Sequence, residues 1–172
     1  MPLRPAKCYR KPERPYTRIS YKKPRKGYVK TVPHMKIHKF VDGNPKKKFS
    51  LRVSLVSKSH IQIRHNALEA ARISVVKKLE PIGSESYFMK VLVYPHHILR
   101  ENPLATGAGA DRFQTGMRMS FGNPISSAAI VKKNQKIISI DLDESKKDIA
   151  IKALKIAGTK IPAKYQIISE KI

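Results

Sequence analysis

Residues 107–124 read GAGADRFQTGMRMSFGNP, and this run gathers side chains suited to gripping an anionic, hydrogen-bonding partner. Arg112 and Arg118 offer planar, multidentate donors and Gln114 an amide, chemistry that matches phosphate oxygens and base edges. Four of the chain's eight glycines fall here, permitting positive φ and close backbone approach. The run has neither strand alternation nor the spacing of a helix face, so it cannot bury itself. The expectation is a loop that orders against a large anionic partner. Phe113 and Phe121 are expected to tuck its base into the core, and Asp111 to brace it internally.

The same search for reactive groups yields no enzyme. His34 and His38 are four apart, His60 and His65 five apart, and His96 and His97 adjacent, but none has a carboxylate or thiolate at ligand spacing. They read as ordinary surface or RNA-facing histidines. Asp111 beside Arg112 could suggest an acid with an orienting cation, yet the pattern holds neither a carboxylate pair nor a nucleophile with its base. Gly107 and Gly109 complete neither a Walker A loop nor a dinucleotide fingerprint. The single cysteine, Cys8, excludes an internal disulfide and a cysteine zinc cluster. No cofactor is expected.

Charge names the partner class. A formal charge of +24 on 172 residues calls for a polyanion, with nucleic acid first and an anionic membrane surface second. No apolar run of about 18 residues, no long basic amphipathic helix and no signal-peptide core argues for the membrane, and the chain reads as cytosolic. Residues 1–30 carry eleven Lys or Arg against one acid, Glu13, with five prolines that deny them a helix or a central strand. Tyr9, Tyr16, Tyr21 and Tyr28 interleave these charges and add stacking faces, so the segment reads as a nucleic-acid-binding arm rather than a solvated tail. All eleven arginines precede residue 119, which places the grip in the first two thirds of the chain.

The remainder must position these groups, and its length and 41% hydrophobic content suit one modest core. Imperfect alternation from about Val32 to Phe40 predicts a bulged strand, Asp42-Gly43-Asn44-Pro45 a turn, and Phe49 to Leu55 a half-buried strand. His60 to Ile63 predicts a short connecting strand. Asn66 with Glu69 predicts a capping box opening a helix to about Leu79, with Leu68, Ala71, Val75 and Leu79 inward and Arg64, Arg72, Lys77 and Lys78 outside. Residues 86–94, apolar on both sides, predict a central strand, and an irregular region follows to about residue 124. Segments 127–131 and 136–140 predict a hairpin around Lys133-Asn134-Gln135. Asp143 is expected to cap a second helix, with Ile149, Ala150, Ala153, Leu154 and Ala157 inward and Gly158 at its close, before a last strand at 165–168. No internal repeat is present.

With these residues in view, the chain resembles the universal large-subunit ribosomal protein family of the archaeal and eukaryotic L-ten-e type, related to bacterial L-sixteen. The likeness rests on RPAKCYR at 4–10, HNALEAARISVVKKL at 65–79, VYPHHILR at 93–100 and GAGADRFQTGMRMSFGNP at 107–124, and it covers nearly the whole chain. The lack of further N-terminal cysteines points to the archaeal form. The resemblance implies an α+β fold, an antiparallel sheet with a hammerhead-like β element and two helices, bound in a crevice of 23S-type rRNA. It implies a place beside the A-site tRNA path on the 5S rRNA side of the central protuberance, among neighbouring large-subunit proteins, with no enzymatic activity and no homo-oligomer. Candidate rRNA-binding residues are then Arg4, Lys7, Tyr9, Arg10, Arg14, Arg18, Lys22, Lys23, Arg25, Lys26, Arg64, Arg72, His96, His97, Arg112, Gln114 and Arg118. The loop that family members extend toward the peptidyl-transferase centre and tRNA maps onto Arg100, Glu101, Asn102, Leu104, Ala105, Thr106, Gly107, Gly109, Asp111 and Arg112. The rival reading is a free-standing DNA-compacting or regulatory nucleic-acid-binding protein, and a weaker one a nuclease.

Overall fold

Strict alternation through Phe49-Ser50-Leu51-Arg52-Val53-Ser54-Leu55 builds the spine of the fold, because it sends Leu51, Val53 and Leu55 to one face with almost no exposure. The computed structural model describes residues 4–12, 31–101, 108 and 123–172. In it this strand, β2 (Leu51–Ser57), follows the short β1 (Val41–Gly43). It lies between β7 (Lys136–Leu142) and β8 (Tyr165–Lys171), antiparallel to both. With β4 (Tyr87–Val91), these strands form a five-stranded sheet ordered β1-β4-β7-β2-β8. A separate antiparallel sheet, ordered β3-β6-β5, holds β3 (Ile61–Arg64), β5 (His97–Glu101) and β6 (Asn123–Val131).

Two helices close the core. Helix α1 (His65–Leu79) buries Leu68, Ala71, Val75 and Leu79, the face its three-to-four spacing predicts, and α2 (Lys147–Lys160) buries Ala150, Ala153, Leu154 and Ala157. These small residues let the two helices lie side by side, with α2 on β2, β7 and β8 and α1 against β3 and β6. Their buried faces join Ile63, Met89, Ile138 and Ile140 in one apolar cluster, and the architecture is α+β as expected.

Local details differ from the sequence reading for identifiable reasons. Residues 32–40 are not a strand; the pairing with β4 begins only at Val41, while Ile37 is drawn singly into the core. The capping box does not form: Asn66 Oδ1 accepts the Ala67 N–H, α1 has no side-chain capping bond, and Glu69 turns to Arg72 instead of back along the helix. Around β4, Tyr87, Met89, Val91 and Val93 are buried but Leu92 and Tyr94 are exposed, so the strand is interior to its sheet with only one face covered. The hairpin expected between 127–131 and 136–140 is absent, because β6 is flanked by β3 and β5 and β7 by β4 and β2. Asn134 turns the chain from one sheet to the other with φ 63°, and its N–H donates to Ser57 O at 2.7 Å. Asp143 precedes a 3-10 turn, Glu144–Lys146, without a side-chain capping bond. Gly158 lies inside α2 rather than closing it; a Cβ there would stand 2.2 Å from Cε1 of Tyr165, so it is needed for close approach of β8.

Candidate nucleic-acid interface

The irregular region expected from residue 95 narrows, because His97–Glu101 pairs with Asn123–Val131 as the hairpin that carries the internal loop. Glu101 lies opposite Asn123 and Arg100 opposite Pro124, with a register shift between Leu99 and Arg100 where proline cannot donate to the ladder. Both ends of the intervening stretch are thereby fixed on one sheet. Of the loop candidates, Asn102, Leu104, Ala105, Thr106, Gly107, Gly109, Asp111, Arg112, Gln114 and Arg118 lie outside the described residues, as do Phe113 and Phe121.

The arm begins on the same sheet. Two-residue periodicity directs Ile61 and Ile63 to the core, and leaves Gln62 and Arg64 on the opposite face with His97 and Glu101 of β5. Residues 4–12 lie on that face, with Ala6–Tyr9 as a 3-10 turn. The Gln62 N–H donates to Arg10 O at 3.0 Å and its amide Nε2 to Tyr9 O at 3.0 Å, so the segment pairs with a strand at the sheet's edge. Arg64 donates to Arg4 O at 2.9 Å and lies over the Tyr9 ring, 5.5 Å from its centroid. On the far strand, Arg4 Nε donates to the Glu101 carboxylate and Tyr9 OH approaches its other oxygen at 3.4 Å. Burial and the nearby Glu101 charge raise the Tyr9 phenol above its ordinary range. Lys7 and Arg10 are exposed; Arg14, Arg18, Lys22, Lys23, Arg25 and Lys26 lie outside the described residues.

Three other candidates are placed unevenly. Arg72 is bound through both Nε and Nη2 to Glu69, at 2.9 and 2.7 Å, and is largely covered. His97 is buried, its Nδ1 on Gln62 Oε1 and its Nε2 without a partner among the described residues. His96 is exposed and lies 4.4 Å from the Tyr94 ring, which stacks on Phe40 at 5.2 Å. This exposed aromatic row was not read as a surface from the sequence, where Tyr94 looked like a core strand position; the Pro95 that ends the strand was the available signal. Gln62, which ties the arm, β3 and β5 together, had no signal beyond its place in an apolar run.

Two histidines give the body a pH dependence. Burial, then the charges of Lys36 and Arg64, lowers the pKa of His65, whose Nδ1 accepts the Lys36 N–H at 3.0 Å; burial alone lowers that of His97. The unfolded chain therefore binds more protons than the folded one as pH falls through 6.5, the ordinary histidine value, and stability is lost in that direction. Thermal melts are expected to show a lower Tm at pH 5.5 than at 7.5, with a shallower fall in His65→Gln. Equal slopes in the variant and the parent chain would refute the assignment to His65.

Among the described residues no three metal-ligating side chains gather, and no helix is long and apolar enough to cross a membrane. What the geometry presents is a basic segment and the root of a long loop held on one sheet face. Residues 16–168 match the family described as ribosomal protein L16p/L10e. The chain belongs to that family. A Methanococcus maripaludis relative named large ribosomal subunit protein uL16 is 48% identical over 173 residues, covering 99% of this chain and 96% of that one. A Saccharolobus islandicus relative of the same name is 46% identical over 171 residues, covering 97% and 92%. Both sources are archaeal, as the cysteine usage suggested, and the L16p/L10e proteins are structural rather than catalytic.

Proposed function

We propose that this L16p/L10e member binds 23S-type rRNA beside the A-site tRNA path, near the 5S rRNA, with the β5–β6 loop directed toward the peptidyl-transferase centre. At the coarser level it is a structural constituent of the large ribosomal subunit and works in the cytoplasm with the ribosome. The observation that carries the finer reading is the shared platform: residues 4–12 and the paired ends Glu101 and Asn123 lie on one three-stranded sheet. Lys7 and Arg10 stand exposed there, Arg64 is half-buried, and Tyr94 with His96 offers a ring surface. Phosphate contacts from such cations hold a protein in register on folded RNA, and glycine backbone fits where a bulkier residue would clash. Arg72 is already paired with Glu69 and His97 with Gln62, so neither is offered as a direct contact.

Arg112→Ala and Arg118→Ala are each expected to weaken docking by about 1–3 kcal/mol, the range for a charge-assisted contact buried on binding. The measurement is retention of each variant on large subunits through a graded salt wash, with RNA crosslinking to map position. Retention equal to that of the parent chain in both variants, or a preference for duplex DNA over structured RNA, would overturn the reading.

A further inference from the structure

We propose that Glu101 is a positioning residue: through Arg4 and Tyr9 it fastens the N-terminal segment to the root of the β5–β6 loop, setting the two relative to each other before any partner is met. Glu101 is one of 12 acidic residues in a chain with 36 basic ones, and it ends β5 opposite Asn123. Its side chain is only 12% exposed and takes Arg4 on one oxygen and Tyr9 on the other. A solvated surface acid would not be covered in this way.

The anchors of the segment divide into two sets. Gln62 and Arg64 bind the main chain at Tyr9, Arg10 and Arg4, and both belong to β3. Those bonds hold the segment to one edge of the sheet and reach β5 indirectly, through the contact of Gln62 with His97 at the start of that strand. Glu101 lies on β5, across β6, and its contacts carry the segment directly to the end of the strand from which the loop departs. They also meet a local excess of positive charge, since Arg64 lies over the Tyr9 ring beside Arg4. Without the carboxylate, Arg4 and Arg64 repel, the end of the segment is freed from β5, and its hold on β3 through the Gln62 amide is weakened. A contact of this kind couples two parts of a chain because each then pays less of the other's ordering entropy. The inference rests on the reading of both parts as RNA-seeking only for its purpose; the coupling itself belongs to the free protein.

The experiment is amide hydrogen exchange on the free full chain. In Glu101→Gln, protection of the Gln62 amide, on the opposite edge strand, is expected to fall about two- to fivefold, while amides in β2 and β7 keep theirs. In Arg4→Gln, the amides of residues 101 and 123 are expected to lose protection by a similar factor. The reversed pair, Arg4→Glu with Glu101→Arg, restores most of both, which a side chain needed only for packing would not do. Unchanged protection at the remote strand in either single variant, or a reversed pair no better than the singles, overturns the proposal. Because RNA is absent from the measurement, that failure leaves the rRNA-docking reading standing. Failure of the salt-wash test equally leaves this result intact.

Discussion

Removal of residues 1–26 is expected to flatten the salt dependence of rRNA binding more than any single substitution in the body. Each phosphate left without its cation lowers the log–log slope by about 0.7–0.9, so freeing on the order of five phosphates lowers it by roughly 4. The segment holds ten of the chain's 36 basic residues, with only Glu13 against them. In the free protein Arg4 is held by Glu101, which leaves Lys7, Arg10 and Lys11 exposed among the described ones. Deletion also uncovers β3, where Gln62 loses its partners at Tyr9 and Arg10. A second variant separates charge from fold: Arg14, Arg18, Lys22, Lys23, Arg25 and Lys26 changed together to Gln keep residues 4–12 in place. Filter binding across salt concentrations is expected to show most of the slope change in this variant too. A slope unaltered in both variants would return the arm to a solvated tail.

Gly43→Ala is expected to cost about 3 kcal/mol of stability and, at about 2–4 °C per kcal/mol for a chain of this size, to lower Tm by roughly 9 °C. Gly43 has φ 87°, and a Cβ built there meets the Tyr87 carbonyl oxygen at 2.2 Å. That oxygen already accepts the Asn44 N–H at 3.0 Å, and the Tyr87 hydroxyl donates to Asp42 at 2.6 Å, so neither side of the β1–β4 pair can yield without losing a bond. The strain therefore falls on backbone, which cannot step aside as a side-chain tip can. Burial and the bond to Asp42 together push the Tyr87 phenol far above its ordinary range, a further mark of how closely this corner is packed. Calorimetry on the free chain checks the value. The variant is expected to keep the parent salt slope, the reverse of the arm deletions, because β1 lies on the other sheet. A Gly43→Ala protein melting with the parent chain would show that β1 is not held as described.

These two outcomes separate what binds from what holds. Among the described residues the basic arm adds none to the buried cluster, which is built from β2, β3, β4, β6, β7 and the two helices. The sheet formed by β3, β6 and β5 connects the two roles. Its Ile61, Ile63, Ala129 and Val131 belong to the core, while Gln62, Arg64, His97 and Glu101 face the arm.

Composition and periodicity alone determined the partner class, the inner faces of both helices and the strict alternation of β2, since charge and local spacing are properties of the chain itself. Motif likeness added the family, with its α+β fold and structural role. Only tertiary structure decided which strands pair. Segments 127–131 and 136–140 look like a local hairpin, yet the edges of β6 are taken by β3 and β5, partners remote in sequence. The same holds for the tie between Arg4 and Glu101, 97 positions apart. Pairing across such separations depends on which surfaces the folded core brings together, and no window of neighbouring residues records it.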